Sequence, residues 1–238
     1  MNPLATLRFF ATPTHPCSYL NRDDATTLFV DPKLPLNQDI YSLLNEKGFR
    51  RSGSYVYRPH CKQCSACIPV RISIAEYQPS KRHKRIIKRN ADLVCRLAPA
   101  HFSQTHYALY ARYISLRHSD GDMFPPTEDQ YTSFILSDWA GTQFLEFLDE
   151  DRLVAVAVMD QLNKGLSAIY TFFDPMAHSR SLGVYAILKQ IDLCKQRALP
   201  HLYLGYWVKN CRKMSYKNEF QALEAFRNHK WEPLDTSF

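Results

Sequence analysis

The second half of the chain alternates strand and helix signals in an order that few folds can absorb. Phe144 to Asp149 and Leu153 to Asp160 have strand length and character, and Asn163-Lys-Gly165 turns the chain into a third run, Leu166 to Phe173. Ser181 is expected to cap a helix with apolar positions at Val184, Ile187, Leu188, Ile191, Cys194 and Ala198, which Pro200 stops. His201 to Val208 returns to strand character, and Tyr216 to Arg227 is expected to be a short helix. Two helices precede this block: His101 to Arg117, and one that Thr127-Glu-Asp-Gln130 opens as a capping box and that runs to about Asp138. The pattern predicts an α/β (α+β) domain built on a mixed sheet.

The first half is less regular. Ile40 to Leu44 reads as a helix closed by Gly48. Tyr55 to Ile74 reads as two extended segments around a loop, Pro79-Ser80 opens a basic helix ending near Asn90, and Leu93 to Leu97 is a strand. Pro99 marks a boundary, so an N-terminal cysteine-containing domain is expected over 1–98 and a second domain over 99–238.

The loop holds Cys61-Lys-Gln-Cys64-Ser-Ala-Cys67, three thiols at a fixed step. That step matches the first three positions of a bacterial iron–sulfur run, and Cys17 is the best candidate for a fourth ligand. Zinc fits the same donors, since a structural site takes four. The competing reading is a turn of buried, inert cysteines. Seven cysteines is an odd count and argues against full disulfide pairing. The N-terminus lacks the basic and apolar regions of a secretory leader, and no apolar run approaches the ~18 residues of a membrane span. These features predict a cytoplasmic protein.

The chain carries a formal charge of +7 and a pI near 9.0, which favours a polyanionic partner. The charge is concentrated. Lys81, Arg82, Lys84, Arg85, Lys88 and Arg89 follow one another without an intervening acid. On a helix Lys81, Lys84, Arg85 and Lys88 share a face, and their mutual repulsion is what a phosphate backbone would relieve. Arg180-Ser-Leu-Gly183 lies between a strand and a helix, where free N–H groups suit an anion, although Tyr185 would crowd a pyrophosphate. Gly205 inside Leu202-Tyr-Leu-Gly-Tyr206-Trp207 signals a bulge or a close backbone approach, and Lys213 and Lys217 follow within reach of an anion.

Taken in order, these segments resemble the bacterial branch of the aminoacyl-tRNA–protein transferases. The residues that carry the resemblance are Cys17, Tyr57-x-Pro59-x-Cys61-x-x-Cys64-x-x-Cys67-x-Pro69-x-Arg71, Lys88-Arg-Asn90, Thr171-Phe-Phe-Asp174-Pro, Arg180-Ser-Leu-Gly183-x-Tyr185, and Leu202 to Trp207 followed by Lys213-Met-x-Tyr216-Lys217. The resemblance implies a C-terminal GNAT-like acyltransferase domain without coenzyme A. It implies transfer of leucine from leucyl-tRNA to proteins beginning with Asp or Glu, which marks them for degradation through the N-degron pathway.

That reaction assigns expected roles. Asp174, Tyr216 and Lys213 are catalytic candidates. Lys81, Arg82, Arg85, Lys88, Arg89, Arg180, Gly183, Tyr206 and Lys217 would hold the tRNA and its aminoacyl-adenosine. Arg58 and Arg71, beside Cys61, Cys64 and Cys67, would receive the acceptor's acidic side chain, since arginine binds carboxylate through two donors. The ester is already activated, so no cofactor is required, in keeping with the lack of a Gly-x-x-x-x-Gly-Lys phosphate loop. Two other readings stand beside this one: a coenzyme-A-dependent N-acetyltransferase, and a non-catalytic RNA-binding or iron–sulfur sensor.

Overall fold

The computed structural model describes residues 7–209 and 211–234. Its elements are β1 (Phe9–Ala11), β2 (Thr27–Val30), α1 (Gln38–Glu46), β3 (Arg50–Ser52), β4 (Tyr55–Pro59), β5 (Ile68–Ser73), α2 (Lys81–Arg89) and β6 (Val94–Pro99). There follow α3 (Gln104–Arg117), α4 (Glu128–Ile135), β7 (Thr142–Asp149), β8 (Arg152–Leu162), β9 (Gly165–Phe173), α5 (Leu182–Gln196), β10 (His201–Trp207), β11 (Leu223–Arg227) and β12 (Lys230–Pro233). Two 3-10 segments, Pro175–Arg180 and Arg212–Glu219, follow β9 and β10.

The strands form a four-stranded sheet, β1-β2-β4-β3, and an eight-stranded sheet, β12-β11-β5-β10-β9-β8-β7-β6. Within the larger sheet only β9 and β10 pair parallel, with α5 as the crossover that such a pair needs. This is the mixed α+β sheet the GNAT-like resemblance implied. β5 and β6 come from within 1–98, yet both hydrogen-bond into the large sheet, β5 between β11 and β10. The sheet is thus assembled across residue 98.

β8 is apolar from Leu153 to Met159, as a strand covered on both faces must be. Val156 and Val158 meet Tyr110, Ile114, Tyr131 and Ile135 of α3 and α4. Ala155, Ala157 and Met159 share the opposite core with Tyr185, Leu188 and Ile191 of α5. A third core, with Tyr41, Leu44, Val56, Leu162 and Tyr203, joins the two sheets. Across that junction Arg51 of β3 donates to Asp160 of β8 at 2.7 and 2.8 Å, both side chains fully buried. The Tyr41 and Thr142 hydroxyls complete the Asp160 carboxylate's bonds.

α1 ends as its glycine predicts. Gly48 has φ +79, its N–H donates to the Asn45 carbonyl, and the Phe49 N–H donates to that of Leu44. Three expectations are corrected. Tyr216 to Arg227 is a 3-10 segment and then β11, because Leu223 and Ala225 alternate into the core opposite Ile72 and Val70 of β5. Ser181 precedes α5 with φ 55 and makes no side-chain cap bond. The helix opened by Thr127 ends at Ile135.

Candidate active site

β9 and β10 pair over only three positions, from Gly165–His201 to Ser167–Tyr203. Beyond these, β10 slips register against β5 between Tyr203 and Gly205, and the parallel pair opens. Arg50, the first residue of β3, fills the opening. Its Nη2 donates to the carbonyl of Ala168 at 2.9 Å and to that of Ile169. Its guanidinium lies against Gly205, where a Cβ would stand 1.8 Å from Nη1 and where φ is +73. The position therefore calls for glycine on two grounds, space and conformation.

Lys217 is a second cation at this opening. It is 3% exposed, and its Nζ donates to the Tyr206 carbonyl. Burial, followed by the charge of Arg50, pushes the Lys217 ammonium well below its ordinary value. Tyr19, Tyr206 and Tyr216 feel the same arginine. Burial raises all three hydroxyls, Tyr19 to about 12, while Arg50 opposes the rise.

The cysteine loop borders this region. Cys17, Cys61, Cys64 and Cys67 line one cavity of about 600 Å³, together with Arg22 and with Arg227 and Asn228 at the β11–β12 turn. A recess of about 160 Å³ shares His60 and Cys67 with it and adds Lys47, Arg58 and Tyr206. Burial pushes the Cys67 thiol up to about 12, and Cys17, Cys61 and Cys64 add to the effect. Cys61 Sγ accepts the Thr26 N–H at 3.5 Å. Among the described residues no three His, Cys, Asp or Glu side chains are set to hold a metal ion.

Residues 15–85 match the N-terminal profile of the arginine-tRNA-protein transferases, and residues 105–227 match the C-terminal one. The protein named aspartate/glutamate leucyltransferase in Alcanivorax borkumensis is 55% identical over 99% of each chain. Its namesake in Marinobacter nauticus is 52% identical over 99% of this chain and 100% of its own. The chain belongs to the arginine-tRNA–protein transferase family. Among solved structures, L-PGS from Bacillus licheniformis covers 90% of this chain and 76% of its own at 10% identity and a TM-score of 0.43, a likeness too slight to add to this.

The transferase brings some of the expected residues together and engages others elsewhere. On α2, Arg82 pairs with Glu219, and Arg89 donates to the Ser179 carbonyl. Lys81, Lys84, Arg85 and Lys88 are exposed and meet no carboxylate among the described residues. His83 and Ile86 seat the helix, and His83 Nδ1 bonds the Tyr77 hydroxyl at 2.8 Å. Arg180 donates through both Nη atoms to Asp92, at 3.0 and 2.8 Å. Tyr185 donates to the Asn90 carbonyl and Asn90 to that of Arg180, so the turn before α5 is tied to α2. A Cβ on Gly183 would meet only the Phe173 ring, at 3.4 Å.

Tyr206 is a buried strut whose hydroxyl donates to the Gly48 and Tyr57 carbonyls, which takes it out of reach of a base. Lys213 is exposed, 3.8 Å from Asp120. Asp174 accepts from Arg152 at 2.7 Å and from the Met176 N–H at 3.0 Å, with Arg112 at 3.3 Å. Burial alone would raise its carboxyl, but those donors outweigh burial and hold it below the usual range. Arg71 donates to Glu224 at 2.5 Å and to Glu46 at 3.3 Å and lies 4.3 Å over Trp231, so it is already satisfied. Arg58 rests 4.9 Å over Phe49 and has no carboxylate among the described residues. Sequence reasoning missed Arg50. Gly205 announced a close approach, but nothing in the sequence names the group that approaches.

Proposed function

We propose that this transferase moves leucine from leucyl-tRNA to the N-terminal amine of proteins that begin with Asp or Glu, in the cytoplasm, and so marks them for degradation. The observation that carries the reading is the full-length likeness to relatives named aspartate/glutamate leucyltransferase. The exposed face of α2, with Lys81, Lys84, Arg85 and Lys88, takes tRNA phosphates, which positions the donor without reading its sequence. Lys213 and the half-exposed Tyr216 lie on the 3-10 segment beside the opened strands and receive the terminal adenosine.

The aminoacyl ester carries its own activation, so the protein has to orient the amine, remove a proton and stabilise the oxyanion. No cofactor is needed for this. The acceptor's α-ammonium has a pKa near ~8, and a base matched to it is required. Lys217 supplies that base. Its buried amine is held well below its ordinary value and lies at the strand opening. Tyr216, whose hydroxyl burial keeps protonated, donates to the oxyanion. Asp174 acts as a fixed anion that holds Arg112 and Arg152, since a depressed carboxyl is a weak proton acceptor. The acceptor enters over the cysteine-lined cavity, which the thiols shape.

Radiolabelled leucine transfer to peptides beginning with Asp, Glu or Ala tests the reading, with arginyl-tRNA as a parallel donor. Leucine on the two acidic peptides alone is expected. Arginine transfer would overturn the donor assignment, and transfer to the Ala peptide would overturn the acceptor rule.

A further inference from the structure

Three arginines of the sheets, the buried Arg51 and Arg71 and the half-buried Arg50, fall into two kinds. Arg51 has Asp160, and Arg71 has Glu46 and Glu224. Arg50 has only the neutral carbonyls of Ala168 and Ile169, both taken by Nη2, and Nε and Nη1 donate to nothing among the described residues. Lys217 beside it donates to the Tyr206 carbonyl, lies 5.8 Å from the centre of the Tyr216 ring, and pairs with no carboxylate among the described residues. A half-buried cation without a counter-charge is a ready site for an anion, and burial, joined by the charge of Arg50, holds the Lys217 amine below its ordinary value. An incoming anion supplies the missing counter-charge.

We propose that Arg50 binds the side-chain carboxylate of the acceptor's N-terminal Asp or Glu, at the opened end of the β9–β10 pair. The inference rests on the acceptor reading above and assigns its recognition to a residue that reading left open. Three observations select a carboxylate over a tRNA phosphate. The guanidinium stands between two strands, where a short side chain reaches and a nucleic-acid backbone does not. A planar fork suits a planar carboxylate. The small pocket that Arg50 lines, about 10 Å³ as it stands, shares Gly48, Pro69 and Tyr206 with the recess of the cysteine loop, so an acceptor in that recess borders Arg50 and its carboxylate has to widen the pocket on entering. The arrangement also joins recognition to chemistry. A carboxylate on Arg50 brings the α-amine of the same residue, two or three carbons away, towards Lys217.

The test is steady-state transfer by full-length R50Q and R50K with peptides beginning with Asp and with Asn. A charged hydrogen bond lost from a half-buried site changes discrimination by about tenfold to a hundredfold. R50Q is expected to lower the Asp-to-Asn ratio of kcat/KM by that factor and to leave the KM for leucyl-tRNA unchanged. R50K keeps the charge and the stem without the fork, so it recovers part of the ratio. A merely structural Arg50 would lower transfer to both peptides alike and leave the ratio intact, which overturns the proposal. A raised KM for leucyl-tRNA with an unchanged ratio assigns the site to phosphate and overturns it too. So does a collapse of the ratio in R58Q and not in the Arg50 variants. If R50Q does not fold, R50K decides alone by the same ratio. A wild-type protein that transfers leucine to no peptide sinks the function itself; the Arg50 site is then judged by thermal shift, Asp peptide against Asn peptide, wild type against R50K.

Discussion

At Gly205 one missing methyl group decides where a cation sits. An alanine there would place its Cβ 2.7 Å from Arg50 Cζ and adopt a φ of +73. The strain costs about 1 kcal/mol, and the methyl also drives the guanidinium off the Ala168 and Ile169 carbonyls. G205A is therefore expected to reproduce the acceptor defect of the Arg50 variants in a peptide-transfer assay. G183A, with only a ring edge at 3.4 Å to meet, should transfer leucine at close to the wild-type rate. Cysteine reactivity is decided at the same scale. The thiolate is the reactive form, and burial pushes Cys67 up to about 12. Iodoacetamide at pH 7.5 should leave Cys67 unlabelled in the folded protein, as mass spectrometry of its peptide would record; fast labelling would contradict the placement.

Among the elements, α2 was the most legible in the sequence. Its cap, Ser80 Oγ accepting the His83 N–H, and its end at Asn90 follow from local chemistry that needs no partner. What could not be read was which of its cations remain available, because their partners Glu219 and Ser179 lie ninety or more positions away. Reversing Lys81, Lys84, Arg85 and Lys88 to alanine should weaken tRNA binding and flatten the slope of log K against log salt by roughly three, at about 0.7–0.9 per phosphate contact. Replacing Arg82 should change that slope far less. β11 failed for the same reason in reverse. Leu223 to Arg227 carries a pattern compatible with either element, and only the edge of β5 makes it a strand. The β11–β12 hairpin turns through Asn228 and His229, at φ 49 and 65, a two-residue turn hidden from the pattern by the histidine.

For the whole molecule, the α+β class and the hairpin of β8 and β9 through Asn163-Lys-Gly165 were plain in the sequence, whereas the junction between the sheets was not. It depends on Arg51 and Asp160, separated by 109 positions, and on an aspartate that reads locally as the polar end of an apolar strand. Removing one charge of a fully buried pair strands the other. D160N is accordingly expected to cost about 3–5 kcal/mol in a urea titration, and to displace β3, which carries Arg50. The candidate site divides in the same way. Lys217, Tyr216 and the cysteines could be named in advance because they lie in dense local motifs, while Arg50 stands outside every motif and meets the Ala168 and Ile169 carbonyls only when β3 meets β9.

The position of β5 has a consequence during synthesis. Its two neighbours in the sheet are β10 and β11, which begin at His201 and Leu223. When β5 leaves the ribosome, more than half of the chain is still unmade, and the strand waits with both edges bare and the thiols at its start uncovered. Nothing made earlier substitutes for those partners, so the N-terminal third cannot finish folding first and hand a completed platform to the rest. The last strands close the sheet around a strand made near the beginning, and only then do the cysteine loop and the opened pair face one another.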